Sequence, residues 1–228
     1  MYSKKSTVGW DKSDWNNNAA GVVILYGKGN RIMNCNIYNC GGIQVAGTFS
    51  IISGNYITDF PTDGSGLWAN DNIFANNRVQ NSRLVNNNHD DLFQSSVCSR
   101  NIILNNIFLA YNDANIDFVN HAVQGFGCFD GWYTDYLIKG NTILNDHPIG
   151  LWLMGAKNCI IDGNTIQTLS YNWNPHRSTC LLLGPKKSGE LSINNVVINN
   201  IAPHFELQVD DGSKYKNNYS SDIKKFIN

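Results

Sequence analysis

Ile73-Phe74-Ala75-Asn76-Asn77-Arg78-Val79 and Ile102-Ile103-Leu104-Asn105-Asn106-Ile107-Phe108 are two copies of one phrase. Each is a short apolar strand, then Gly or Asn, then Asn, then a return to apolar residues. Upstream copies are Ile32-Met33-Asn34-Cys35-Asn36-Ile37 and Ile51-Ile52-Ser53-Gly54-Asn55-Tyr56-Ile57. Downstream copies are Leu137-Ile138-Lys139-Gly140-Asn141-Thr142-Ile143, Ile160-Ile161-Asp162-Gly163-Asn164-Thr165-Ile166 and, more loosely, Val197-Ile198-Asn199-Asn200-Ile201. The recurring residue is therefore Asn36, Asn55, Asn77, Asn106, Asn141, Asn164 and Asn200, at spacings of 19, 22, 29, 35, 23 and 36 residues.

A repeat near 20 residues with occasional long insertions is the pattern of a solenoid whose loops have grown from some coils. The apolar runs are short and bounded by Asn and Gly, which fits strands rather than amphipathic helices. The expected fold is all-β, a right-handed parallel β-helix of about seven to eight coils with two long loop insertions. Coils of such a solenoid stack about 4.8 Å apart, so equivalent asparagines lie one above another. Asn tolerates left-handed backbone geometry, and its amide can bond along the stack. The β-helix is expected over 21–202, with an N-terminal cap or remnant of a longer chain at 1–20. A C-terminal cap or tail is expected at 203–228.

Hydrophobic residues make up 42% of the 228, enough for one elongated core, and no second domain is indicated. With 15% charged residues and a net charge of −1, the chain has no basic stripe for phosphates, which excludes nucleic-acid binding. No apolar run approaches a membrane span, which excludes membrane insertion. The start, Met1-Tyr2-Ser3-Lys4-Lys5-Ser6, lacks an apolar signal region. An extracellular or virion-associated location would then be reached by lysis or another route, unless the chain is a piece of something longer. The six cysteines, Cys35, Cys40, Cys98, Cys128, Cys159 and Cys180, show no zinc spacing and read as free thiols packed as small hydrophobes.

A second series of strands precedes the asparagine phrases: Gly42-Ile43-Gln44-Val45, Gly66-Leu67-Trp68-Ala69, Asp91-Leu92-Phe93-Gln94, Gly150-Leu151-Trp152-Leu153 and Cys180-Leu181-Leu182-Leu183-Gly184. Alternation turns Ile43, Leu67, Leu92 and Leu151 inward. Gln44, Trp68, Phe93 and Trp152 are then expected outside, as a saccharide groove or a subunit interface such as a homotrimer. The insertions, Asn112 to Tyr136 and Leu169 to Thr179, carry Gln124, Asp130 and Arg177. Loops on a rigid scaffold are where binding residues concentrate.

Thr62-Asp63-Gly64 and Asn88-His89-Asp90-Asp91 fall on successive coils, which sets Asp63 near His89, Asp90 and Asp91. Carboxylates that close repel, split in pKa, and can divide acid and base work at a glycosidic bond. Asp63, His89, Asp90 and Asp91 are the candidate catalytic residues. Trp68, Phe93, Gln124, Asp130, His147, Trp152 and Arg177 are the candidate substrate-binding residues. Turn formation by the aspartates is the bland alternative. No cofactor is firmly indicated; Ca²⁺ held by Asp90, Asp91 and backbone oxygens stays open.

Asp63-Gly64, His89-Asp90-Asp91-Leu92-Phe93-Gln94, Gln124-Gly125-Phe126-Gly127-Cys128-Phe129-Asp130-Gly131 and His147 with Gly150-Leu151-Trp152 together resemble one family. It is the right-handed β-helix repeat proteins of the pectate-lyase-like superfamily. The resemblance covers roughly Gly21 to Ala202. It implies a carbohydrate-active protein, since members include polysaccharide lyases, polygalacturonase-type hydrolases, epimerases and phage tailspikes. Phe126 and Leu137 stand where polygalacturonase-type members carry a histidine and an arginine. The expected function is polysaccharide binding and cleavage, of hydrolase or lyase type, as in a viral tailspike depolymerase. A non-catalytic glycan-binding or structural tail-fibre module is the alternative.

Overall fold

The computed structural model describes residues 7, 9–19, 22–83, 90–110, 123–145, 147–169, 179–210, 212–222 and 224–227. Three parallel sheets run the length of these residues. The first holds Val23–Leu25, Ile43–Val45, Ser65–Leu67, Asp91–Ser95, Gln124–Cys128, Ile149–Met154, Cys180–Gly184 and His204–Leu207. The second holds Arg31–Met33, Ile51–Ser53, Ile73–Ala75, Ile102–Leu104, Leu137–Lys139, Ile160–Asp162, Val196–Ile198 and Lys214–Lys216. The third takes the strand that follows each of these around a tight corner, from Asn36–Tyr38 to Asn218–Ser220. Each coil thus contributes one strand to each sheet, and the fold is a parallel β-helix.

The repeated phrase builds the tight corner. Its Gly or Asn adopts left-handed backbone geometry at Asn34, Gly54, Asn76, Asn105, Gly140, Gly163, Asn199 and Asn217, with φ between +52° and +69°. Most side chains resist this region; Gly and Asn do not, which is why only those two types alternate there. The Asn that follows points into the body of the solenoid and is buried at 55, 77, 106, 141, 164, 200 and 218. Each of the first six amides donates to the amide oxygen of the next coil's asparagine, at 2.9–3.1 Å. The same Nδ2 reaches a backbone carbonyl of the preceding coil, as Asn106 does to Phe74 at 2.9 Å. The oxygen also accepts the backbone N–H of the preceding coil's asparagine, as Asn106 does from Asn77. Buried amides are tolerated only when so satisfied.

Asn36 departs from the expected column. Cys35 holds the corner position, its N–H bonded to Asn55 Oδ1 at 3.0 Å, and Asn36 is exposed, paired with Tyr56. The column also runs further than expected, because Asn218 is its last rung and strands at His204–Leu207, Lys214–Lys216 and Asn218–Ser220 add a coil beyond 202. The short helix Lys12–Asn18 opens on a capping box between Asp11 and Asp14 and buries Trp15. The Arg83 guanidinium lies 5.0 Å from that indole and pairs with Asp59. At the other end Lys225–Ile227 folds back antiparallel onto Asn218–Ser220.

In-register stacking makes the core a set of ladders. Ile32, Ile52, Phe74, Ile103, Ile138, Ile161, Val197 and Tyr215 form one row of the second sheet. Phe93 belongs to this core and not to the outside. It is 0% exposed, stacks on Phe126 at 4.6 Å, and meets Phe74 and Phe108 edge-on. Phe93 pairs with Phe126 and through it with Leu151, one residue out of step with the expected alignment. A single-residue slip turns every side chain to the opposite face. Gln124–Cys128 is likewise a strand of the first sheet, so the insertion expected from Asn112 to Tyr136 contains a coil wall. All six cysteines are free, and only Cys35 is exposed.

Replacing Asn106 by alanine removes four hydrogen bonds of its amide and leaves buried partners unmatched, a cost of about 3 kcal/mol. Asn36→Ala, at an exposed position outside the column, is expected to change stability by less than about 0.5 kcal/mol. Urea unfolding of the two variants measures the contrast.

Candidate active site

Along the outer face of the first sheet, register places Ile24, Gln44, Gly66, Gln94, Gly127, Trp152, Leu182 and Glu206 in one row. Glycine at 66 and 127 leaves room for neighbouring rings. A Cβ on Gly66 would stand 2.8 Å from Trp68 Nε1, so that indole folds back over the row while staying 40% exposed. A Cβ on Gly127 would stand 2.5 Å from the Phe129 ring and 3.0 Å from Asp91 Oδ1. Phe129 in turn meets Trp152 edge-on, 6.2 Å between centroids. Trp68 and Trp152 therefore flank a shallow trough three coils long, about 14 Å at the usual strand spacing.

An open pocket of about 440 Å³ lies in this trough, lined by Gln94, Gln124, Phe129, Asp130, Trp152 and Lys187, with Ile149 and Met154 as floor. Its size is in the range that holds small ligands. Asp91 lies beside it, at the start of its strand and paired with Gln124. Asp91 is 0% exposed, and both carboxyl oxygens lack a hydrogen-bond partner; Gln124 Oε1 is buried in the same condition. Burial, with the carboxylates of Asp63, Asp90 and Asp130 adding, pushes the Asp91 carboxyl up to about 8. It therefore holds its proton at neutral pH.

The other candidates fall into place around it. Asp63 is half-buried at the corner before Ser65–Leu67, and its Oδ1 accepts the Asp91 N–H at 2.9 Å. Its charge is the main electrostatic influence on Asp91 after burial. Asp90 is buried and turned the other way, accepting from Ser82 Oγ at 3.0 Å; burial lifts its carboxyl to about 7 against that hydrogen bond. Asp130 pairs with Lys187 at 2.6 Å across the pocket mouth. Trp152 Nε1 donates to Cys180 Sγ at 2.9 Å, which fixes the indole. His147 is a corner residue: its Nδ1 accepts the Ile149 N–H at 3.1 Å, and it does not line the pocket. His89 and Arg177 lie outside the described residues. Among the described residues no three His, Cys, Asp or Glu side chains converge to hold a metal ion. No helix among them is long and apolar enough to cross a membrane.

Gln94, Phe129, Ile149 and Met154 are the pocket residues to which the sequence alone assigned no role. The Gly127-Cys128-Phe129 phrase held a signal, a glycine two residues before an aromatic, as in Gly66-Leu67-Trp68. Nothing in the sequence around Lys187 connects it to Asp130, 57 residues away.

The family model for the right handed beta helix region matches residues 4–166. No curated protein matches. Among solved structures, the crystal structure of DFA-IIIase from Arthrobacter chlorophenolicus A6 without its lid is similar, with a TM-score of 0.57 and 17% identity. The similarity covers 92% of this chain and 53% of that one, so this chain spans about half its length. At that identity the likeness is one of fold alone.

The buried Asp91 has a consequence for stability. In the unfolded chain the carboxyl titrates near 4, whereas in the folded protein it titrates at about 8. Between these values the folded state binds more protons, so stability falls as pH rises from about 4 to about 8. The melting temperature is expected to be lower at pH 8 than at pH 5. Asp91→Asn should remove its part of that slope, leaving the part due to Asp90, which burial lifts to about 7, and stabilise the protein at pH 8, on the order of a few kcal/mol. Calorimetric scans at the two pH values measure both effects.

Proposed function

The chain belongs to the right-handed β-helix family, and on that premise we propose that it binds a glycan along the outer face of its first sheet and cleaves a glycosidic bond there. One observation carries the reading: a fully buried, unpartnered carboxyl beside an aromatic-lined pocket, where burial and neighbouring carboxylates favour its protonated form. Sugar rings pack on aromatic faces, and Trp68, Phe129 and Trp152 provide three along one trough. A carboxylic acid kept neutral by burial is the group that protonates a departing glycosidic oxygen.

Asp91 is the general acid in this proposal. As the C–O bond breaks, its proton passes to the leaving oxygen, and positive charge develops on the sugar ring. Asp63, whose charge already acts on Asp91, supplies the stabilising carboxylate, and it takes the proton of the water that adds to the anomeric carbon and completes the hydrolysis. Asp90 holds Ser82 and positions the strand rather than touching the sugar. The raised carboxyl favours hydrolysis over elimination, because a lyase needs a base to remove a ring proton rather than an acid already charged with one. Polymeric glycan outside the cell or on a surface met by a viral particle is the setting this reading implies.

Two outcomes are expected. Asp91→Asn lowers glycan turnover by about 10²–10⁴-fold, with the circular dichroism spectrum unchanged. Wild-type kcat falls as pH rises through about 8, because the proton to be donated is lost. Reducing-end release and product ultraviolet absorbance are the measurements. Undiminished turnover by the Asp91→Asn protein removes the acid role, and unsaturated products make the reaction an elimination.

A further inference from the structure

The charge arrangement at the trough narrows the substrate class. Resting on the proposed function, we infer that the pocket accepts an uncharged, hydroxyl-rich sugar and rejects a uronate, and that Asp130 sets this preference by neutralising Lys187. Three groups of observations support it, each independent of the identity of the reaction.

First, the lining offers no spare cation among the described residues. Asp130 lines the pocket, and Asp91 with Asp63 lies beside it. Lys187 is the cation among the described residues that line it, and its ammonium is 2.6 Å from Asp130 Oδ1. The neighbouring Lys186 is turned away, over the Trp132 ring at 5.4 Å and paired with Glu190 at 3.0 Å. A uronate entering here would meet Asp130 and find Lys187, the cation of the lining, already paired, and a charge left without its own counter-charge costs binding energy.

Second, a buried acceptor of the pocket lining wants a donor. Gln124 Oε1 is shielded from solvent and has no hydrogen-bond partner. Left unmatched, such atoms cost free energy that a ligand hydroxyl recovers. A neutral sugar presents a hydroxyl at nearly every carbon. A carboxylate substituent brings only further acceptors.

Third, the salt bridge that masks the cation sits on the surface. Asp130 and Lys187 side chains are each more than half exposed, so their pairing is weak enough for a single substitution to alter ligand choice without disturbing the fold. Removing Asp130 leaves Lys187 facing the trough unpaired.

Binding is measured by titration calorimetry, using the Asp91→Asn protein so that ligands stay intact. The probes are neutral oligosaccharides and oligouronates of equal length, at two salt concentrations. The expected result is binding of a neutral ligand with little salt dependence, at least tenfold tighter than any oligouronate. Adding Asp130→Asn should improve oligouronate affinity severalfold, in a salt-sensitive way, and adding Lys187→Gln to that pair should abolish the gain. Tighter binding of an oligouronate by the Asp91→Asn protein overturns the inference while leaving glycan recognition intact. So does an Asp130→Asn protein with unchanged ligand preference. Absence of binding to either class overturns the inference together with the glycan reading on which it rests.

Discussion

A hydrogen-bonded column of asparagine amides holds the coils in step. From Asn55 to Asn200 each amide joins three coils, giving to a carbonyl behind and to an amide oxygen ahead while accepting a backbone N–H, and Asn218 closes the column. A parallel solenoid gains stability only between nearest-neighbour coils, so an error of pairing at one coil propagates to the next. The amide column penalises such errors, because a coil displaced by one residue would bury several unsatisfied polar groups at once. Apolar packing alone would be more permissive, since Ile, Val and Phe in adjacent rows exchange neighbours at little cost.

Register, once held, determines what the outer wall displays. Long insertions do not disturb it: 29 residues separate Asn77 from Asn106, and 35 separate Asn106 from Asn141, yet each pair is joined by two hydrogen bonds. The solenoid thus varies its loops while the trough keeps a fixed spacing. The glycines at 66 and 127 have a specific part in this. They are unfavourable in strands, but each leaves a space into which an aromatic ring folds, and at Gly127 the carboxyl of Asp91 also approaches. A strand that sacrifices propensity at these points gains a recess on an otherwise flat sheet.

Asp91 is where stability and proposed chemistry pull in opposite directions. A carboxyl buried without donors destabilises the protein whenever it ionises, and the surrounding carboxylates increase that effect. The rigid walls on both sides, Ser65–Leu67 and Gln124–Cys128, keep it in place. Asp90, its chain neighbour, has nearly the same burial but a hydroxyl partner in Ser82 and a lower titration point. Two adjacent aspartates therefore differ because one has a hydroxyl donor and the other has none.

The sequence by itself determined the class of fold, because the corner phrase states two backbone requirements in its own letters. Gly and Asn accept the left-handed corner most readily, and the following Asn can satisfy itself only if stacked; this made the coils and most of the column legible from Asn55 to Asn200. It failed at Asn36, where two asparagines flank a cysteine and spacing alone cannot tell which corner position each fills. The wall carrying the site was less legible. Phe93 reads as the equivalent of Trp68 and Trp152 until pairing shows it level with Leu151, and Gly125-Phe126-Gly127 reads as loop until its neighbours explain the glycines. Only the tertiary structure decided that Asp91 is buried beside the pocket without a partner, that Asp90 meets Ser82, and that Lys187 answers Asp130. Those facts depend on contacts between coils 28 to 57 residues apart, and one-dimensional periodicity carries the stacking of coils but not the lateral offset between them.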